Sequence, residues 1–143
     1  MKHILISLFL LFLLVPSQKE KGIVIDRELQ HYVFEFITEA SKRNVNGYRI
    51  VSDIDNIVFM NNMPYLGYWH EDSKSVWINP NIKDSIIMRA VVFHEIGHSM
   101  NKEHTCYECI DLMSGMLYVA YKKIIFKDEE IWSKELDKFF NND

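Results

Sequence analysis

The chain has 143 residues, 48% of them hydrophobic and 25% charged, which is the balance of one ordinary globular domain. Its net charge of −4 gives no electrostatic reason to bind nucleic acid or an anionic bilayer, and both are set aside as partners. No internal repeat or low-complexity tract divides it.

Residues 1–17 are of a different kind. Lys2 and His3 precede an apolar block from Ile4 to Val15, broken only by Ser7, and Val15-Pro16-Ser17 suits a signal peptidase cutting after Ser17. The block holds about twelve residues, short of the ~20 that span a bilayer. No cysteine follows it to carry a lipid. The pattern predicts an exported protein, secreted or periplasmic, with residues 18–143 as a single domain that keeps no stable membrane anchor.

From Asp26 to Arg43, apolar Leu29, Tyr32, Val33, Phe36, Ile37 and Ala40 recur at helical spacing, with Asp26 as the expected N-cap and Asn44, Asn46 and Gly47 as the stop. His31 on this helix has no converging partners and reads as a solvated or capping residue. Tyr48–Val51 and Ile57–Met60 are rich in β-branched and aromatic residues and predict strands. After Asn61-Asn62-Met63-Pro64, the runs Tyr65–His70 and Ser75–Asn79 flank a polar turn through Glu71–Lys74 and predict a hairpin.

Asp84 or Ser85 can cap the next helix, which is expected to run to about Met100 with Ile86, Ile87, Ala90, Val91 and Phe93 on its buried faces. It carries His94-Glu95-Ile96-Gly97-His98. His94 and His98 are four apart, so one helix face presents two imidazoles to one metal ion. Glu95 lies one residue further round, close enough to act on a metal-bound water without being a ligand. His104 follows six residues after His98. Six more helical residues would carry it about 9 Å along the axis. It can join the same ion only if the helix ends and the chain doubles back, and Asn101 accepts the left-handed conformation that such an ending uses. Three imidazoles with an open fourth position make a catalytic zinc arrangement, whereas structural sites are closed. Gly97 within the helix costs about 1 kcal/mol relative to alanine, which predicts that something packs closely against it.

The stretch His94 to His104 resembles the zinc signature of the metzincin metalloendopeptidases, H-E-x-x-H-x-x-G-x-x-H, with Asn101 at the position of the family's glycine. The family also has a methionine in a tight turn beneath the metal. Met113, nine residues after His104, fits that role, with Met116 the fallback. Gly115 stands where some branches carry a tyrosine, which argues against the astacin-like and serralysin-like members. The resemblance implies an α+β domain: an N-terminal helix, a short twisted mixed sheet with an antiparallel edge strand along the cleft, the zinc helix, the methionine turn and a C-terminal helix. It places Tyr65, Leu66, Gly67, Tyr68 and Trp69 on that edge and Val76–Ile78 inside the sheet. An exposed edge can take up an extended peptide or protein substrate by main-chain pairing.

Cys106 and Cys109, in C-Y-E-C, are the only cysteines. Export favours a disulfide that stiffens the segment between His104 and Met113. A redox-active pair lacks a βαβ context, and a second zinc site lacks two further ligands. Met116–Phe126 is apolar without a decisive period. Asp128–Phe140 predicts a last helix with Ile131, Trp132, Leu136, Phe139 and Phe140 facing inwards.

The expected activity is peptide hydrolysis with Zn2+ on His94, His98 and His104 and Glu95 as general base. Two alternatives remain at this point. One is a gluzincin-like site with Glu129 or Glu130 as third ligand. The other is a zinc-binding protein that holds a peptide without cleaving it.

Overall fold

Four short extended segments pair into one mixed sheet: β1 (Val24–Ile25), β2 (Asn56–Phe59), β3 (Gly67–His70) and β4 (Ser75–Ile78). The computed structural model describes residues 22–105, 111–115 and 126–141. Strand order is β1-β2-β4-β3. The first two pairings are parallel and β3/β4 is antiparallel, so β3 forms one edge. The expected hairpin is present, with Tyr68 opposite Trp77 and Trp69 opposite Val76. Lys74 closes its turn at φ 45°, donating its backbone N–H to Glu71 O at 3.0 Å. The edge strand itself begins at Gly67. Tyr65 and Leu66 precede it, though Leu66 O still accepts from Asn79 N at 2.9 Å.

Helix α1 (Gln30–Lys42) buries Val33, Phe36 and Ala40 on one stripe, as its spacing requires. Its start differs from expectation. Leu29 stands at the cap position with no side-chain cap bond, and the Asp26 carboxylate instead accepts the Phe59 N–H at 2.7 Å, tying the end of β1 to β2. A carboxylate serves either donor, and here a neighbouring strand competed successfully with the helix end.

Tyr48–Val51 forms no strand. Helix α2 (Gly47–Ser52) takes these residues, with the Asn46 side chain accepting from Arg49 N at 3.0 Å. A side chain on Gly47 would meet Ile37 Cα at 2.8 Å, so the glycine lets α2 start directly against α1. Capping and docking outweigh the modest β-propensity of Tyr-Arg-Ile-Val.

Helix α3 (Ser85–Ser99) lies against β3, β4 and α1. The Asp84 side chain caps it, accepting from Ile86 N and Ile87 N at 3.0 and 3.2 Å. Helix α4 (Glu129–Asn141) closes the core from the other end of the chain. Asp128 Oδ1 caps it through Glu130 N and Ile131 N. Trp132, Leu136, Phe139 and Phe140 face inwards, but Ile131 is exposed. The buried face runs through 132, 135, 136 and 139–140, and Ile131, at its margin in the first turn, lies about 100° round the helix from Trp132. The core centres on edge-to-face rings: Phe36 with Phe93 at 5.2 Å, Phe36 with Phe139 at 6.2 Å, and Phe93 with Trp132 at 5.3 Å.

Residues 1–17, Cys106 and Cys109, and most of Met116–Phe126 lie outside the described residues. No described helix is long and apolar enough to cross a membrane.

Candidate metal centre

The C-terminal half of α3 is enclosed, every residue from Ala90 to Gly97 being buried. Its end has a defined hydrogen-bond pattern. Lys102 N donates to Gly97 O at 3.1 Å and Asn101 N to His98 O at 3.0 Å, with Asn101 at φ 61°. These two bonds around a left-handed residue form a Schellman cap, which uses up the last carbonyls and reverses the chain. Asparagine fills the place that glycine more often takes.

The reversal carries His104 back onto the helix face. His94 Nε2 and His104 Nε2 are 3.0 Å apart, His98 Nε2 and His94 Nε2 3.1 Å, and His98 Nε2 and His104 Nε2 3.2 Å. Tetrahedral coordination with metal–nitrogen bonds of about 2.0–2.1 Å spaces its ligands at about 3.3 Å, so this triangle could hold a metal ion with little movement. The second nitrogen of two of the rings is also committed. His94 Nδ1 donates to Leu112 O at 2.8 Å and His98 Nδ1 to Lys102 O at 2.7 Å. A carbonyl only accepts, so both rings carry a proton on Nδ1, which in the neutral ring leaves the Nε2 lone pair turned to the centre. Burial lowers the His98 pKa, aided by nearby His104 and opposed by the Lys102 carbonyl, which favours the neutral ligand form.

The triad opens into a cleft of about 1010 Å³. Pro64–Trp69 line one wall, and Glu95, Asn101–Glu103, Ser114 and Gly115 contribute to the rest. Glu95 is buried beside the histidines, and desolvation pushes its carboxyl up to about 8, against the pull of the Trp69 backbone N–H that donates to it. Beneath the helix, Met113 is buried with its sulfur 2.7 Å from where a side chain on Gly97 would begin, and Phe139 follows at 2.8 Å. The close packing expected at Gly97 is thus present. Ser114 N donates to Asp111 O at 3.3 Å, giving the methionine its turn. Thr105 fastens that turn to the third histidine's segment: its N–H donates to Met113 O at 3.2 Å and its hydroxyl to the Asp111 carboxylate at 2.8 Å.

Glu129 and Glu130 do not approach the triad. Glu129 pairs with Arg89 Nη1 at 3.5 Å and Glu130 with Lys134 at 2.6 Å. Among the described residues, only the three histidines converge as potential ligands, and neither Glu129 nor Glu130 belongs to that group. His31 is exposed and lines a separate small cleft with Glu35, Arg89 and Glu129.

Three contributors went unnoticed in the sequence. The carbonyls of Leu112 and Lys102 orient two ligands, and backbone groups leave no compositional trace. The contact of Gly67 with Glu95 did have a signal, because a glycine inside an aromatic strand pattern often marks a close approach. A side chain there would begin 2.6 Å from Glu95 Cγ and Oε1 and 2.8 Å from Val91 Cγ1. No family model, curated protein or solved structure matches this chain significantly.

Proposed function

We propose that the protein is an exported zinc metallopeptidase of metzincin-like type, hydrolysing peptide bonds in a peptide or protein substrate. The observation that carries this reading is the trio of imidazole nitrogens 3.0–3.2 Å apart, facing a cleft that also holds a buried carboxylate. Three imidazoles with no fourth protein ligand among the described residues match the donor set of a catalytic rather than a structural zinc site. Zn2+ bound there would supply Lewis acidity, polarising the scissile carbonyl and lowering the pKa of a bound water towards about 7.

The chain's own groups do the rest. Glu95 accepts one proton from the attacking water while the water oxygen bonds to the carbonyl carbon. It then returns that proton to the amide nitrogen as the C–N bond breaks, leaving a carboxylic acid and an amine. Burial raises the proton affinity of the Glu95 carboxylate above the ordinary value, which strengthens it as the group that takes the proton. Among the described residues β3 pairs on one side only, and its other edge offers main-chain groups to an extended substrate alongside the cleft. Leu112 and Lys102 keep His94 and His98 in the ligand tautomer.

The test is elemental analysis of the purified protein together with peptide-library cleavage by wild type and Glu95→Ala. One zinc per chain in both proteins is expected, with cleavage falling by about 10²–10⁴-fold in the variant. Absence of zinc from folded, reconstituted protein overturns the proposal. Zinc without Glu95-dependent cleavage leaves the non-hydrolytic peptide-binding alternative.

A further inference from the structure

A general base must be held at one place while it gains and loses a proton. Beside Glu95 on α3, Val91, Val92 and Ile96 are buried and apolar, while His94 and His98 turn their ring nitrogens to one another, to His104 and to backbone carbonyls. The group that reaches it comes from the sheet. Leu66 O faces β4, accepting from Asn79 N at 2.9 Å. In an antiparallel pair the backbone groups alternate in direction, so those of Tyr68 and His70 also face β4 while those of Gly67 and Trp69 turn to the free edge. The Trp69 N–H points off that edge and donates to the Glu95 carboxylate. Two residues earlier, Gly67 leaves the space that Glu95 fills, since a Cβ there would stand 2.6 Å from both Cγ and Oε1.

We infer that Gly67 and the Trp69 backbone N–H form a seat for Glu95, making Gly67 a positioning residue for catalysis; this rests on the assignment of Glu95 as general base. Any side chain at 67 competes with the carboxyl for the same volume. Relief is easiest at the flexible end of Glu95, because Val91 is packed in the core and the strand is paired to β4. A methyl group at 67 therefore displaces the base before it disturbs the fold. The seat has a second consequence. The Trp69 N–H is turned to the protein's own carboxylate, so a substrate strand on this edge pairs with Gly67 and with the Trp69 carbonyl and gains no bond from the Trp69 N–H while Glu95 is seated.

The experiment compares wild type, Gly67→Ala, Glu95→Ala and the double variant by zinc content, kcat and KM on a cleaved peptide, and the Trp69 amide signal in 15N NMR. Gly67→Ala is expected to retain zinc and lose on the order of 10²-fold in kcat, with KM nearly unchanged. In the double variant it should cost nothing beyond Glu95→Ala, because the group it positions is gone. The Trp69 amide should shift in Gly67→Ala and in Glu95→Ala alike. Wild-type kcat in Gly67→Ala, or additive losses in the double variant, overturns the seat. So does a Trp69 amide unmoved by Glu95→Ala, a variant that adds no bulk and settles the matter if Gly67→Ala fails to fold. If wild type cleaves nothing yet the amide moves in both variants, the seat stands and the peptidase assignment is what fails.

Discussion

Two glycines bring neighbours hard against the histidine-bearing helix, and the neighbours differ in kind. At Gly97 the space is filled by the Met113 sulfur and the Phe139 ring, both buried and apolar. At Gly67 it is filled by the Glu95 carboxyl. The first contact is floor: it joins α4 and the Asp111–Ser114 turn to α3 by close packing, and its value is stability. The second is wall: it buries an ionisable group beside one backbone donor, an arrangement that costs stability and that the proposed general-base role of Glu95 would explain. Glycine is needed at both places for the same steric reason, so the residue type alone does not tell a stabilising contact from a functional one. The atom it faces does.

The largest effect that separates wall from floor is a pH dependence that only the wall can give. In metal-free protein the folded-state pKa of Glu95, about 8, stands above its ordinary 4.5. The unfolded chain therefore releases this proton first as pH rises. Its contribution to stability is fully present below about 4.5 and is lost as pH climbs through about 8, a change on the order of a few kcal/mol. Urea unfolding of chelator-stripped protein across this range should show the decline, and Glu95→Gln should flatten it. A wild-type profile already flat would mean that the wall is better solvated than its burial implies.

Next in size is Gly97→Ala. Its Cβ would meet Met113 Sδ at 2.7 Å and the Phe139 ring at 2.8 Å, inside a packed core. Overpacking of this kind costs about 1–3 kcal/mol, readable as a lower urea midpoint at unchanged m-value. Turnover per zinc-loaded molecule should stay near wild type, the opposite of the pattern expected at Gly67. Loss of turnover with full stability would erase the distinction between the two glycines. Smallest is Met113→Leu, a swap of similar volume that should cost less than about 1.5 kcal/mol and leave zinc content at one per chain. A large fall in zinc content would show that the floor shapes the metal site as well as supporting it.

Local patterns were legible where one element decided them. Asp84 caps α3 because its carboxylate has free helix N–H groups directly ahead of it. The α1 stripe and the β3/β4 hairpin follow from periodicity and a polar turn. Legibility failed where two partners competed for one residue. Asp26 could serve a helix end or a strand, and Phe59 N–H took it. Tyr48–Val51 could be strand or helix, and the Asn46 cap with the Gly47 contact on α1 decided. Ile131 shows the limit of a periodicity count, since one residue's rotation moves a side chain about 100° from the core.

What the chain's order of residues determined by itself was the donor set: His94 and His98 on one helix face, Glu95 beside them, and an asparagine able to end the helix before His104. That much is intrinsic, because helical spacing and left-handed tolerance are local properties. Tertiary structure alone decided that the three Nε2 atoms close to within 3.2 Å, that the carbonyls of Leu112 and Lys102 orient two of the rings, and that Glu95 lies against Gly67 under the Trp69 N–H. Those contacts join backbone and side-chain groups distant in sequence, and backbone groups are the same in every residue, so only folding could select which of them meet.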